Sequence, residues 1–347
     1  MSTQARPRAR PIRVMQSFRT PGPTTNPYIH LLDRALAATE GVEHLRFDRR
    51  RAILGRYDVL QLHWPETLLG GSTPARAAAR RAFALLLRLR LARSRIAVVR
   101  TVHNVQPHEA LPRWQQRHLD WIERRTDLRI VLNDRTPVPA GSATALIPHG
   151  HYRDWFARAA PREPEPGTLG FVGLVRPYKG VEQLLDAFAT TASIAPHLRL
   201  RVAGSPADAA VEREVRDRAA RDPRVVLDLR HLSEAEFADT VLQCAGLVLP
   251  YRSMHNSGAV LAALSLGRPV LVPRNGITEA LAAEVGPGWV EVFDAPLDGA
   301  HLEAFAEVAA RRPSTPPDLT AREWDGAGAA HRSAFDRAIA IRRRSRA

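Results

Sequence analysis

The stretch Phe171-Val-Gly-Leu-Val-Arg-Pro-Tyr-Lys-Gly180 reads as a buried strand running into a glycine and then a short loop that carries two cations. The apolar run over 169–175 predicts the strand. Val181, Leu184, Leu185 and Phe188 follow the loop at the i, i+3, i+4, i+7 spacing of a helix with one apolar face. Gly173 has no side chain to keep a ligand away from the backbone. Arg176 and Lys179 project from the strand's carboxyl end, the edge at which open α/β sheets bind ligands. Two cations there suit a diphosphate and the negative charge that develops on a phosphate leaving group. Lys179 is the only lysine among 50 basic residues, so a composition that favours arginine does not account for it.

Outward from this segment, strand and helix signals alternate, which favours parallel sheets with crossover helices. Downstream, strands are predicted over 198–203, 225–229, 247–250, 269–273 and 289–293, with helices over 208–221, 257–266 and 278–284. Ser233-Glu-Ala-Glu236 is a capping box that opens a further helix reaching Gln243. Upstream, strands are predicted over 12–17, 42–47, 57–64, 96–104 and 128–133, and helices over 28–40, 74–93 and 112–125. Pro161-Arg-Glu-Pro-Glu-Pro-Gly167, with three prolines in seven residues, interrupts the alternation. The expected organisation is an N-terminal Rossmann-like domain over 1–160, a linker over 161–167, a second Rossmann-like domain over 168–320, and a helix with a basic tail over 321–347. The fold class is α/β: two doubly wound domains facing a cleft.

The 347 residues are 45% hydrophobic and 25% charged, enough to fill two cores. The single cysteine, Cys244, excludes a disulfide framework and an all-cysteine zinc site. No apolar run approaches the ~18 residues of a membrane span, and the basic start lacks an apolar signal core. The expectation is a cytoplasmic chain, in solution or peripheral on the inner face of the membrane. A net charge of +14 attracts polyanions in general. Nearly all of it is arginine, beside 27 prolines, so it reads as composition and names no partner. With 6% aromatic residues and no recognised motif, specific nucleic-acid binding is not expected. Arginines from Arg76 to Arg95 surround Phe83-Ala-Leu-Leu-Leu87; Arg81, Arg88 and Arg95 share a helical stripe with Leu85 and Leu89 roughly opposite. An anionic membrane surface is the partner this suggests for residues 76–95, against the alternative of a packed helix with a solvated basic face. No Asp-x-Asp, His-Glu-x-x-His or Cys/His zinc spacing occurs, so neither a metal nor a cofactor is expected. The phosphate loop of an ATPase and the glycine fingerprint of a dehydrogenase are also missing.

A second segment, Tyr251-Arg-Ser-Met-His-Asn-Ser-Gly258, joins a strand to a helix that opens at Ser257-Gly258 and offers free amides to an anion. With the Arg176/Lys179 loop it would grip a diphosphate from two sides, which brings Tyr251, Asn256, Ser257 and Gly258 to the donor. In the first half, His63, Glu66, His103, His108 and Glu109 all follow predicted strands and so ring the mouth of the expected cleft. Group transfer to a hydroxyl needs a base, and a histidine or a carboxylate serves.

Gly173, Arg176, Lys179, the strand end at Gly204, and Leu266-Gly-Arg-Pro-Val270 resemble the donor domain of GT-B glycosyltransferases, family 4 in particular, over most of 168–290. The resemblance implies a nucleotide-diphosphate sugar with its pyrophosphate near Arg176, Lys179 and Ser257-Gly258, and its base near Arg230-His231-Leu232. It also implies two glutamates eight positions apart, which would fall at Met254 and Ala262. Neither is acidic, and Glu279 in the next loop is the substitute considered for one of those contacts. Asn26-Pro-Tyr28, Tyr57-Asp-Val-Leu-Gln-Leu-His-Trp-Pro-Glu66 and Thr101-Val-His-Asn-Val-Gln-Pro-His-Glu109 resemble bacterial exopolysaccharide transferases of the GDP-mannose:glycolipid β-1,4-mannosyltransferase type. This implies Asn26, Tyr28, His63, Trp64 and His108 at the acceptor, His103 against the donor sugar, and Glu66 or Glu109 as base if the product is inverted. The implied activity is metal-independent transfer of a hexose, mannose from GDP-mannose, to a lipid-linked or glycan acceptor. The alternative is a non-catalytic nucleotide-sugar or glycan-binding protein of the same fold, which the missing glutamate pair favours.

Overall fold

A computed structural model describes residues 10–70, 73–104 and 111–345. The chain divides into two compact units, Met1–Gly150 with Glu323–Ala347, and His151–Arg322. The first holds strands β1 (Ile12–Gln16), β2 (Val42–Leu45), β3 (Val59–Leu62), β4 (Ala97–Val102), β5 (Leu128–Val131) and β6 (Thr144–Leu146). They lie in the order β2-β1-β3-β4-β5-β6, every pair parallel. β3 and β5 are buried at every position, as strands covered on both faces must be. In one core, Met15, Leu60, Leu62 and Val98 pack with Phe83, Leu87 and Leu91 of the helix Pro74–Arg93 and with Ile122 of the helix Arg113–Arg125. The C-terminal helix Ala327–Arg344 packs against β3, β4 and β5 and buries His331, Ala334, Phe335 and Ala338, spaced i, i+3, i+4, i+7.

The second unit holds β7 (Thr168–Val172), β8 (Arg199–Ala203), β9 (Val225–Asp228), β10 (Gly246–Val248), β11 (Val270–Pro273) and β12 (Val290–Phe293). Their order, β12-β11-β10-β7-β8-β9, is again all parallel. It is the dinucleotide-fold order, whose direction reverses between β7 and β10; in the first unit the reversal lies between β1 and β3. The expected capping box is formed, with Ser233 Oγ accepting from the Glu236 N–H and the Glu236 carboxylate accepting from the Ser233 N–H at 2.8 Å.

The boundaries differ from those expected. Residues 151–160 group with the second unit. The proline-rich stretch is docked on that unit: the Glu165 N–H donates to the Gln243 carbonyl at 2.9 Å, and the buried Arg268 donates to the Arg162 carbonyl at 2.7 Å. The helix expected as an appendage is a layer of the first unit, because its apolar stripe needs that sheet. The sequence reading passed over β6 and the helices Arg49–Leu54 and Gly299–Arg311.

The helix Pro74–Arg93 forms over the expected residues with a different arrangement of faces. Arg81 and Arg88 lie over the rings of Trp114 and Trp121, at 5.7 and 5.2 Å, so these two are held by the neighbouring helix. The leucines Leu85, Leu86 and Leu89 face outward, 57, 52 and 49% exposed.

Candidate active site

At the switch point of the second unit, β7 ends and the chain turns through Gly173 at φ 138°. Gly204, at φ 134° after β8, stands so close that a Cβ on it would collide with the Gly173 carbonyl. These two glycines let adjacent strand ends close on each other. The Val175 N–H then donates to the Ser205 carbonyl at 2.9 Å, so the loop carrying Arg176 stays paired to the loop after β8. Pro177–Lys179 forms a 3-10 turn that ends at Gly180 in the left-handed region, φ 68°, where a Cβ would strike the Pro250 carbonyl beyond β10. The turn is therefore seated against β10 and draws Lys179 inward.

Lys179 is 9% exposed, with Nζ 5.1 Å from the centre of the Tyr251 ring. Burial, and then the neighbouring charge of half-buried Arg176, lower its pKa to about 8. No carboxylate contributes to that shift. A buried ammonium without a counter-ion favours an incoming anion. Tyr251 is buried edge-on to Tyr178, and the Arg252 N–H donates to the Tyr178 carbonyl at 2.9 Å, which ties the two loops together. Ser257 caps the helix Gly258–Ser265, its Oγ accepting from the Val260 N–H at 3.3 Å, and Asn256 beside it is half-buried.

The remaining second-unit residues lie at the same end of the sheet. His231 is exposed in the loop after β9, Leu232 packs on the core beside it, and Arg230 pairs with Asp228 and Glu236 at 2.9 and 2.7 Å. Glu279 is exposed on the helix Gly276–Val285 and paired with Arg274 at 3.0 Å. Met254 and Ala262, where family 4 has its glutamates, are both buried.

In the first unit a buried polar chain crosses three strands. Gln16 Nε2 donates to Gln61 Oε1 at 2.9 Å, and Gln61 Nε2 donates to Thr101 Oγ1 at 3.0 Å. The Gln16 oxygen is left to accept from His63 Nε2–H at 3.1 Å, so His63 Nδ1 carries a lone pair and accepts from His103 Nε2–H at 3.1 Å. Burial, with His331 and His44 nearby, lowers His63 to about 3, and burial puts His103 well below the usual histidine range. Both imidazoles are neutral at ordinary pH. Trp64 stacks on His103 at 4.0 Å and 18°.

These rings form one side of a cleft of about 510 Å³, which Glu66 also lines. Sequence reasoning missed its other wall: Arg100 of β4, and Gln116, Asp120 and Glu123 of the helix Arg113–Arg125. The i, i+4, i+7 spacing of those three polar residues was the available signal. Asn26 and Tyr28 do not line this cleft. Asn26 Oδ1 is the helix cap, accepting from the Tyr28 N–H at 2.9 Å, and Tyr28 is buried among His103, His149 and Trp324. His108 and Glu109 lie outside the described residues.

The family of group 1 glycosyl transferases matches residues 166–306. The GDP-mannose:glycolipid 4-beta-D-mannosyltransferase of Xanthomonas campestris pv. campestris is 42% identical over 322 residues, 92% of this chain and 90% of that protein. The chain belongs to this glycosyltransferase family. Among solved structures, Anabaena HepE in complex with UDP and glucose has a TM-score of 0.57 at 14% identity, covering 96% of this chain and 98% of that one. An E. coli trehalose-6-phosphate structure bound with UDP-2-fluoro glucose has a TM-score of 0.60 at 11% identity, covering 96% and 97%. These likenesses show the fold, the pair of doubly wound units named GT-B. Membership of the family makes the chain a glycosyltransferase and sets aside the non-catalytic alternative. No helix of the described residues is long and apolar enough to cross a membrane, and among those residues no group of three metal-ligating side chains occurs.

Proposed function

We propose that this glycosyltransferase moves mannose from GDP-mannose to a hydroxyl of a lipid-linked glycan, with inversion at the anomeric carbon. One observation carries the donor half: Lys179 is buried without a carboxylate contributing to its shift, beside Arg176 and beneath the paired glycines Gly173 and Gly204. The 42% identity to a protein named for this reaction supports the donor and acceptor classes. In this reading Lys179, Arg176 and the amides at Ser257-Gly258 hold the diphosphate, and the guanine rests by His231 and Leu232.

The acceptor sugar packs on the Trp64/His103 face, and Glu66 is the base. Mannose is α-linked in GDP-mannose and the relative's product is beta, so a single displacement is required. The acceptor hydroxyl gives its proton to the Glu66 carboxylate while its oxygen bonds to the anomeric carbon. The bond from that carbon to the diphosphate breaks, and GDP leaves with the electron pair, its charge stabilised by Lys179 and Arg176. Incubation with GDP-mannose and a membrane lipid extract is expected to release GDP and yield a β-mannosylated lipid. Near-wild-type GDP release by Lys179→Ala would sink the assignment.

The protein works at the cytoplasmic membrane face, with the helix Pro74–Arg93 resting on anionic lipid. Supporting this, Ala78, Ala82, Leu85, Leu86 and Leu89 make its outward face apolar, and the helix contains no acidic residue. Flotation with phosphatidylglycerol vesicles is expected for the wild type and lost in Leu85→Ser/Leu86→Ser/Leu89→Ser; equal flotation removes the idea.

A further inference from the structure

A second pocket of the first unit, about 440 Å³, is lined by Arg19, Arg49, Arg76, Ala79 and Arg80. None of the residues that line it is a carboxylate. Asp48, the nearest in sequence, is engaged as the cap of the helix Arg49–Leu54, accepting from the Arg51 N–H at 2.7 Å. The stretches 49–56 and 73–95 contain no acidic residue at all. Arg76 belongs to the first turn of the helix Pro74–Arg93, where the helix dipole adds to the positive field, and Ala79 and Arg80 follow in the second. Planar guanidinium forks are the groups that bind phosphate oxygens in pairs. A concave site with four of them and, among the described residues that line it, no acid selects a multiply charged anion.

Two neighbours say what that anion is attached to. The Thr67 carbonyl accepts from Arg80 Nη1 at 3.2 Å, and Thr67 belongs to the 3-10 turn Pro65–Leu68. Glu66 of that same turn, and Trp64 just before it, line the cleft of about 510 Å³. A sugar in the cleft and an anion in the arginine pocket are thus separated by one short turn of chain. The helix that supplies Arg76, Ala79 and Arg80 continues to Leu85, Leu86 and Leu89, which face outward, and the helix that Arg49 opens ends at Leu54, 71% exposed. Along the chain, the cleft-lining residues Trp64 and Glu66, the pocket residues Arg76 and Arg80, and the outward leucines Leu85, Leu86 and Leu89 follow one another.

We infer that the arginine pocket binds the diphosphate that joins the acceptor glycan to its lipid. This rests on the acceptor class proposed above. It gives the pocket a role in acceptor choice: a glycan on a lipid diphosphate is held at three points, and the same glycan without phosphate at two.

The test reads binding without turnover. With GDP saturating the donor site, calorimetry is run with farnesyl diphosphate and with farnesol in neutral detergent micelles. The wild type is expected to bind the diphosphate at least tenfold more tightly than the alcohol, and Arg19→Gln/Arg76→Gln to lose that difference at an unchanged melting temperature. Arg49→Gln, which keeps the helix Pro74–Arg93 intact, is expected to lose at least threefold and guards against a misfolded double variant. Equal binding of the two lipids by the wild type overturns the inference, as does undiminished diphosphate binding by the variants. Loss of phosphatidylglycerol vesicle binding with farnesyl diphosphate binding retained also overturns it, since the pocket would then serve bilayer headgroups. Because this readout needs no turnover, absence of GDP release from GDP-mannose would count against the proposed reaction and leave the pocket's result standing.

Discussion

At the carboxyl end of β7 the second unit buries a cation; at the carboxyl ends of β3 and β4 the first unit buries two uncharged imidazoles. Lys179 has no carboxylate among the causes of its shift and is held by backbone geometry, through Gly180 and the paired glycines Gly173 and Gly204. His63 and His103 are held by hydrogen bonds, through Gln16, Gln61 and Thr101. The first arrangement awaits an anion from outside. The second is satisfied internally and presents ring faces, which suits a neutral polyhydroxyl ligand better than a charged one. In the proposed reaction, donor and acceptor chemistry would thus divide between two parallel six-stranded sheets of different strand order.

Removing the cation should separate the two sites most sharply. Lys179→Ala is expected to lower kcat by roughly 10²–10³, about 3–4 kcal/mol of transition-state stabilisation, with a melting temperature within a few degrees of wild type. Steady-state GDP release beside a thermal melt checks it, and a parallel loss of stability would mean that the lysine is structural. Next in size is Gly204→Ala, which combines a positive φ with a backbone collision. It should cost about 3 kcal/mol or more of second-unit stability, read as lost hydrogen-exchange protection in β7 and β8 and not in β1–β5.

Titration should pull the units apart in opposite directions. His63 and His331, lowered to about 3 and about 4, are neutral in the fold and take up protons near 6.5 when unfolded. Their contribution is therefore full above about pH 6.5 and is lost as the pH falls toward 4, by up to about 1.4 kcal/mol per histidine per pH unit. Hydrogen exchange at pH 7.5 and 5 should show the first unit loosening first. Lys179, lowered to about 8, behaves otherwise. Between pH 8 and 10.5 the folded lysine loses its proton before the unfolded one, so the second unit gains stability while its hold on the donor weakens. The donor KM should rise above pH 8 in the wild type and stay flatter in Lys179→Arg. The smallest effect belongs to the capping box: Ser233→Ala should cost about 1 kcal/mol, confined to the second unit.

The same contrast explains what could be read in advance. The strand, glycine, cation loop and helix around Lys179 are contiguous, so local rules placed Gly173, Arg176 and Lys179 at the strand's carboxyl end, where they are found. The alternation of apolar runs was enough to expect two doubly wound units. What escaped was assembled from distant segments. Gln16, Gln61 and Thr101 lie one each on β1, β3 and β4, far apart in sequence, and only parallel pairing brings them into one row. The acidic wall of the cleft comes from the helix Arg113–Arg125, and the arginine pocket from three separate segments. The motif Asn26-Pro-Tyr28 suggests a ligand, but it does not say which way its side chains face: Asn26 caps a helix and Tyr28 is a packed ring. For Arg81 and Arg88 a helical wheel leaves lipid and a packed helix with a solvated basic face both open, and it cannot include Trp114 and Trp121, over whose rings they lie.

The helix Ala327–Arg344 completes the unit that begins the chain. During synthesis the first unit must therefore wait for residues 327–344 before β3, β4 and β5 are covered by them, while the inserted unit, continuous in sequence, can finish beforehand. A stop at residue 326 would spare the second unit and uncover buried strands of the first, so such a fragment should clump rather than merely lose activity.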